Sequence, residues 1–293
     1  MKNLLVIGKT GQIASSLLEI LVAQGKFKYT ALGRNELDLA RPKNVYAALK
    51  KIKPAPDIII NAAAYTDVDK AEDEREICNN INNLAVAEIA SFCADNKALL
   101  VHYSTDYVFD GSGNQEFSED NITNLKPVNY YGATKLAAES AVINSGCDYL
   151  ILRTSWVYNH RGKNFVNTIL KLAAAKTELK IVADQVGSPT YAHDIAAATL
   201  QMLENIKPGI YHMVPHEKVS WHQFAEMIID EAKRGGLDVK LKTLTPITTA
   251  EYKTKAKRPL NSRLSAQKLK TVYNIQLPPL AASLRICLGK IRK

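Results

Sequence analysis

The opening of the chain constrains its fold more tightly than any other stretch. Leu4 to Ile7 is a short apolar run, the pattern of a strand buried on both faces. Gly8-Lys9-Thr10-Gly11-Gln12-Ile13-Ala14 follows, and then a helical pattern from Ser15 to Gln24. Strand, glycine turn and helix, in that order, form the context in which a Gly-x-x-Gly motif carries meaning. Glycine lets the backbone approach a pyrophosphate, which then rests on the unpaired N–H groups of the helix N-terminus. Ala14 takes the third small position and still permits close packing of helix on strand. Gly8, Thr10, Gly11, Gln12 and Ile13 are therefore candidate dinucleotide contacts.

The same alternation continues. Tyr29–Leu32 reads as a second strand, and Arg34 stands just beyond it, where a 2′-phosphate would favour NADP over NAD. Val45–Lys53 reads as a helix stopped by Pro54, and Asp57–Ile60 as another buried strand. That strand ends in Asn61-Ala62-Ala63-Ala64-Tyr65-Thr66, whose small side chains leave room for a flat ligand. Glu72–Asn96 is largely helical, and Ala98–Tyr103 is a strand running into Ser104-Thr105-Asp106. Tyr149–Trp156 is a further strand. Strand and helix thus alternate to about residue 156, which predicts an α/β fold with a Rossmann-type, doubly wound parallel sheet. Residues 191–214 hold a helix and a strand that would return to the sheet. Segments 157–190, with a polar loop at 184–190, and 215–293 are expected to form a smaller, interleaved C-terminal substrate lobe.

Composition narrows the function. At 46% apolar and 23% charged residues, with no run approaching ~20 apolar positions, the chain is expected to be soluble and without a membrane span. Cys78, Cys93, Cys147 and Cys287 lie far apart, with no zinc spacing and no disulfide framework, so a reducing cytoplasm is the expected location. The net charge of +9 comes without a basic face interleaved with aromatics, so nucleic acid is not an expected partner. A pyrophosphate ligand is the sharper reading of the excess.

Tyr131 and Lys135 lie four residues apart in a helical stretch that Asn129 can cap, so they share a face. A phenol beside an ammonium is a tuned proton donor, because the positive charge favours phenolate. With the glycine turn and Ser104-Thr105-Asp106, this Tyr-x-x-x-Lys pair resembles the extended short-chain dehydrogenase/reductases. Further segments narrow the resemblance to reductases of dTDP-bound keto sugars. They are residues 61–72, Ser104–Phe109, Arg153–Tyr158, Asp184-Gln185-x-Gly187-x-Pro189-Thr190 and Arg258-Pro259-x-Asn261-Ser262-Arg263-Leu264.

The resemblance implies reduction of the C4 keto group of a dTDP-4-keto-6-deoxy-L-sugar with NADPH, or with NADH. Tyr131 would be the proton donor, Lys135 its activator and the holder of the nicotinamide ribose, and Thr105 a hydrogen-bond donor to the same sugar oxygen. Asp38, Leu39, Ala63, Ala64, Tyr65, Thr66 and Tyr103 would join the glycine turn and Arg34 around the cofactor. Asp106, Trp156 and Arg263 would join Thr105 around the substrate. Some relatives form a magnesium-linked dimer through acidic residues, but the stretch 284–293 has no carboxylate side chain. Magnesium is accordingly not expected, and a monomer or weak homodimer is. Two alternatives stay open. One is an epimerase or dehydratase, although Tyr107 stands where dehydratases of this kind carry Glu. The other is a non-catalytic NADP-binding subunit.

Overall fold

The structure, a computed structural model of the chain, describes residues 2–291, so the basic Arg292 and Lys293 lie outside it. Its centre is a six-stranded, all-parallel sheet. The strands are β1 (Asn3–Ile7), β2 (Lys28–Leu32), β3 (Ile58–Asn61), β4 (Leu99–Thr105) and β5 (Tyr149–Thr154), with Gly209–His212 as the sixth. Their spatial order is β2, β1, β3, β4, β5 and then the Gly209–His212 strand. The winding therefore reverses between β1 and β3, the switch point at which open parallel sheets bind ligands.

Alternation of side chains along each strand explains why the strands read as continuous apolar runs. Leu4, Val6, Ile58 and Ile60 enter a core covered by α1 (Gln12–Gln24). Leu5, Ile7, Ile59 and Leu100 enter a second core on the other face. That second core also takes Val45 and Leu49 from α2 (Val45–Lys50). The long helical region beyond β3 is α3 (Arg75–Asn79), a π-helical turn (Asn80–Leu84) and α4 (Ala85–Asn96). Next in the chain, α5 (Tyr130–Asn144) follows β4 and packs beside α4. Among the described residues no helix is long and apolar enough to cross a membrane.

Beyond β5 the chain leaves the sheet, forms α6 (Phe165–Ala175), and returns through α7 (Ala192–Met202) to the Gly209–His212 strand. It then leaves again for α8 (Trp221–Arg234), α9 (Gln267–Tyr273) and α10 (Leu280–Ile291). Helices α6, α8 and α10 surround a core of their own, around Tyr158, Tyr191, Phe224 and Leu284. Ser220 caps α8 in a reciprocal box with Gln223. Three elements differ from the sequence reading. The 184–190 segment holds two short strands, Val186–Gly187 and Thr190–Tyr191. Thr243–Ile247, which has no clear alternation, pairs in parallel with Glu178–Val182. The expected strand ending at Trp156 stops at Thr154, because Trp156 takes φ +48°.

Candidate active site

A cleft of about 490 Å³ opens at the switch point. The glycine turn lines it with Gly8, Thr10, Gly11, Gln12 and Ile13. Gly8 has φ +92°, and a Cβ there would stand 2.8 Å from the Ala63 backbone nitrogen, so β1 and β3 can approach this closely only without a side chain. Helix α1 begins at Gly11 with no side-chain cap, leaving the N–H groups of its first turn to serve an anion. The wall beyond is made by Ala62, Ala63, Ala64 and Thr66. These features fit a dinucleotide.

Arg34, Asp38 and Leu39 line the end of the cleft beyond β2. Glu36, the acidic residue close to that strand end, is engaged: it accepts from the Gly33 N–H at 2.8 Å and from Lys9 Nζ at 2.6 Å. Arg34 is exposed and has no ion pair among the described residues. Tyr65 is not in the wall, contrary to expectation. Its phenol donates to Glu74 at 2.8 Å, and its backbone is clasped by Asn82, which accepts at 2.8 Å and donates at 3.0 Å. Asn82 sits on the π-helical turn, a local widening that aims its amide inward.

At the other end of the cleft stand Tyr103, Tyr131 and Lys135. Asn129 caps α5, accepting from the Gly132 N–H at 2.9 Å. A Cβ at Gly132 would lie 2.3 Å from the Tyr107 carbonyl oxygen, so the glycine is what lets α5 press against the turn after β4. That turn is itself capped by Thr105, whose hydroxyl accepts from the Tyr107 N–H at 3.2 Å and donates to Asp106 at 3.0 Å. The Tyr107 and Tyr131 rings meet edge to face at 5.6 Å. Helix α5 is also bolted to the sheet by a buried ion pair. Arg153 of β5 donates to Glu139 at 2.9 and 2.6 Å, and Ser104 of β4 adds a bond at 2.5 Å.

Electrostatics differ from the sequence expectation. Burial raises the Tyr131 phenol above its ordinary value, and the Thr105 hydroxyl beside it acts weakly the other way. The expected lowering by Lys135 does not govern this geometry. The Lys135 ammonium is buried and donates to the Tyr103 carbonyl at 2.7 Å, and burial draws its own pKa down to about 8. Burial likewise pushes Asp106 up to about 6, against the neighbouring Ser262 and Thr105 hydroxyls, which act the other way.

The proposed substrate residues lie outside the cleft wall. Trp156 stacks on Trp221, centroids 3.5 Å apart at 6°. Arg263 donates to Asn261 at 2.9 Å, while Arg258 reaches Asp69 at 2.6 Å and bears on the Tyr107 phenol. Sequence reasoning missed Ile81, Thr154 and Lys163 in the wall. Lys163 is carried there by a loop fastened to α1, in which Asn159 and Asn164 donate to Gln12 at 2.9 and 3.0 Å. A cation beyond a strand–turn was the only signal, and nothing local tied it to the glycine turn.

A switch-point cleft with a glycine turn at one end and a Tyr-x-x-x-Lys pair at the other defines a nucleotide-dependent oxidoreductase of the short-chain dehydrogenase/reductase kind. Residues 1–293 match the family described as RmlD substrate binding domain, and the chain belongs to that family. It is 39% identical over 283 residues to the dTDP-4-dehydrorhamnose reductase of Salmonella typhimurium, covering 94% of this chain and 93% of the relative. It is 40% identical over 296 residues to the enzyme of the same name from Burkholderia thailandensis, covering 97% of each. The crystal structure of the Bacillus anthracis dTDP-4-dehydrorhamnose reductase in complex with NADP superposes with a TM-score of 0.90 at 32% identity, covering 99% of both chains.

Proposed function

We propose that the protein reduces the C4 keto group of dTDP-4-dehydro-6-deoxy-L-mannose with NADPH, giving dTDP-L-rhamnose. Its relatives carry the name of that activity, and one of them is solved with NADP. The observation that carries the chemistry is the placing of Tyr131 and Lys135 together at the end of the cleft opposite Arg34, with the Thr105 hydroxyl just behind the wall beside the phenol. The glycine turn, the N-terminus of α1, Ala63, Ala64 and Thr66 hold the dinucleotide, and Arg34 takes the 2′-phosphate. When bound, the reduced nicotinamide supplies a hydride to the carbonyl carbon.

The developing oxyanion needs a donor that is still protonated. Tyr131 meets that need: burial keeps its phenol neutral, ready to release a proton only to a strongly basic alkoxide. Thr105 donates to the same oxygen by giving up its bond to Asp106. Lys135 holds the ribose and adds positive charge one helical turn from the phenol. The sugar nucleotide lies between this end and the elements around Trp156, Asp106 and Arg263, with segments 157–190 and 215–293 as its lobe. The protein works in the cytoplasm, as a monomer or weak homodimer, in keeping with four free and buried cysteines.

NADPH oxidation with dTDP-4-dehydro-6-deoxy-L-mannose is the direct test. Tyr131→Phe is expected to retain NADPH binding and lose ~10²–10⁴ in turnover, since the ring still packs and only the acid is gone. Wild-type turnover in that variant would remove Tyr131 from the role.

A further inference from the structure

Of the buried titratable groups the mechanism does not use, one lies within hydrogen-bond reach of Lys135. His102 is fully buried on β4, directly opposite Asn61 of β3 in the parallel register. Its Nε2 lies 3.1 Å from Lys135 Nζ and its Nδ1 lies 3.3 Å from Asn61 Nδ2. The orientation of the Asn61 amide is fixed from behind, because its Oδ1 accepts from the Ala63 N–H at 3.2 Å. Asn61 therefore presents a donor to His102.

Burial and the adjacent Lys135 keep His102 neutral, with one ring N–H to place. An ammonium can only donate, so a charged Lys135 requires Nε2 to accept and puts the ring proton on Nδ1. That N–H then faces the Asn61 NH2, donor against donor. An uncharged Lys135 reverses the arrangement. The ring proton sits on Nε2 and donates to the amine, Nδ1 accepts from Asn61, and the amine still donates to the Tyr103 carbonyl. The network is complete only in the second state.

We propose that His102 is a positioning residue whose tautomer, held by Asn61, is coupled to the charge on Lys135. Losing the lysine proton moves the imidazole proton from Nδ1 to Nε2, and regaining it moves the imidazole proton back. One proton leaves the site and the other only changes nitrogen, so the pair exchanges a single proton with its surroundings. The remaining groups that face Lys135 are Glu139 on its own helix, itself paired with Arg153, and the Cys78 thiol from α3. Both favour the ammonium, against burial, which sets its value near about 8. This gives Lys135 of the proposed reductase site a proton affinity within reach of neutral pH.

The tautomer is read without substrate or cofactor. Long-range 1H–15N spectra of protein labelled in its six histidines, assigned with His102→Gln, separate Nδ1–H from Nε2–H. The expected result is Nδ1–H near about pH 7 and Nε2–H near about pH 9, on either side of the lysine. A single tautomer across that range, or a doubly protonated ring, overturns the proposal. Asn61→Asp offers a second reading: its carboxylate accepts from Nδ1–H, favours the ammonium and should move the pH at which the tautomer changes up by about one unit, read in the same spectra. An unmoved or lowered transition counts against the coupling. A tautomer switch in a protein that reduces no keto sugar would sink the proposed activity and leave this inference standing.

Discussion

The two ends of the cleft are built by different means. The end near β1 and β2 is made of backbone: a glycine at φ +92°, a bare helix N-terminus and three alanines. The end near β4 and α5 is made of buried polar side chains that hold one another, Ser104, Glu139 and Arg153 beneath, Asn61, His102 and Lys135 beside them. Backbone gives shape and fixed partial charge that no change of pH alters. A buried side-chain network gives groups whose proton affinity can be moved, at the cost of polar atoms that must all be satisfied. On the proposed function, most of the binding falls to one end and the proton chemistry to the other.

Substitutions can break this contrast. The largest effect is expected from Gly8→Ala, which puts a Cβ into the Ala63 backbone at a φ closed to most side chains. Strain and overpacking together should cost about 2–4 kcal/mol of stability, measured by denaturant unfolding, and weaken both NADPH and NADH. A stable Gly8→Ala protein with unchanged affinities would show that the turn is not a backbone cradle.

At the opposite end, Asp106→Asn should stabilise the protein. The folded carboxyl, at about 6, binds protons more tightly than an unfolded one near 3.8, so its charge costs stability above that range. The wild type therefore loses stability as pH rises from about 4 through 6, and the Asn variant avoids that loss. The gain should reach about 2–3 kcal/mol near neutral pH and vanish below about pH 4. A gain independent of pH would point to packing instead of charge. A fall in turnover alongside the gain would mark Asp106 as a group kept for the substrate.

The smallest effect is the most selective. Arg34→Ala should weaken NADPH roughly tenfold to a hundredfold, the worth of a charge-assisted contact of about 1.5–3 kcal/mol, and leave NADH nearly unchanged. Equal loss for both cofactors would give Arg34 another task.

The contrast also explains what could be read in advance. Backbone-built features leave local marks, Gly8 and Gly11 after Leu4–Ile7 and Ala62–Ala64 after Ile58–Ile60, and so does the one side-chain pair fixed by helix spacing, Tyr131 and Lys135. Each is a short pattern with one geometric meaning. The neighbours of Lys135 left no such mark. His102 reads as one more residue of a buried strand, and only the register of β4 on β3 sets it against Asn61. The direction of Tyr65 was hidden for a related reason, since it is set by Glu74 and by Asn82 on a π-helical turn that no periodicity announces. Trp156 read as the end of a strand, yet its left-handed φ and its stacking depend on Trp221, 65 positions later in the chain.

That stacked pair has a spectroscopic consequence. Trp156 and Trp221 are the only two tryptophans in the chain, and they lie face to face. Their indoles form one coupled chromophore, so absorption at the red edge, indole emission and the aromatic circular dichroism couplet all originate at a single place. Phe165 packs on one side of it, and the Gln185 carbonyl accepts the Trp221 indole N–H at 3.2 Å. The polypeptide thus carries a built-in optical probe at the junction of β5 with the helices beyond it, and needs no dye to report a ring sliding in or a turn of Trp156 out of its left-handed conformation.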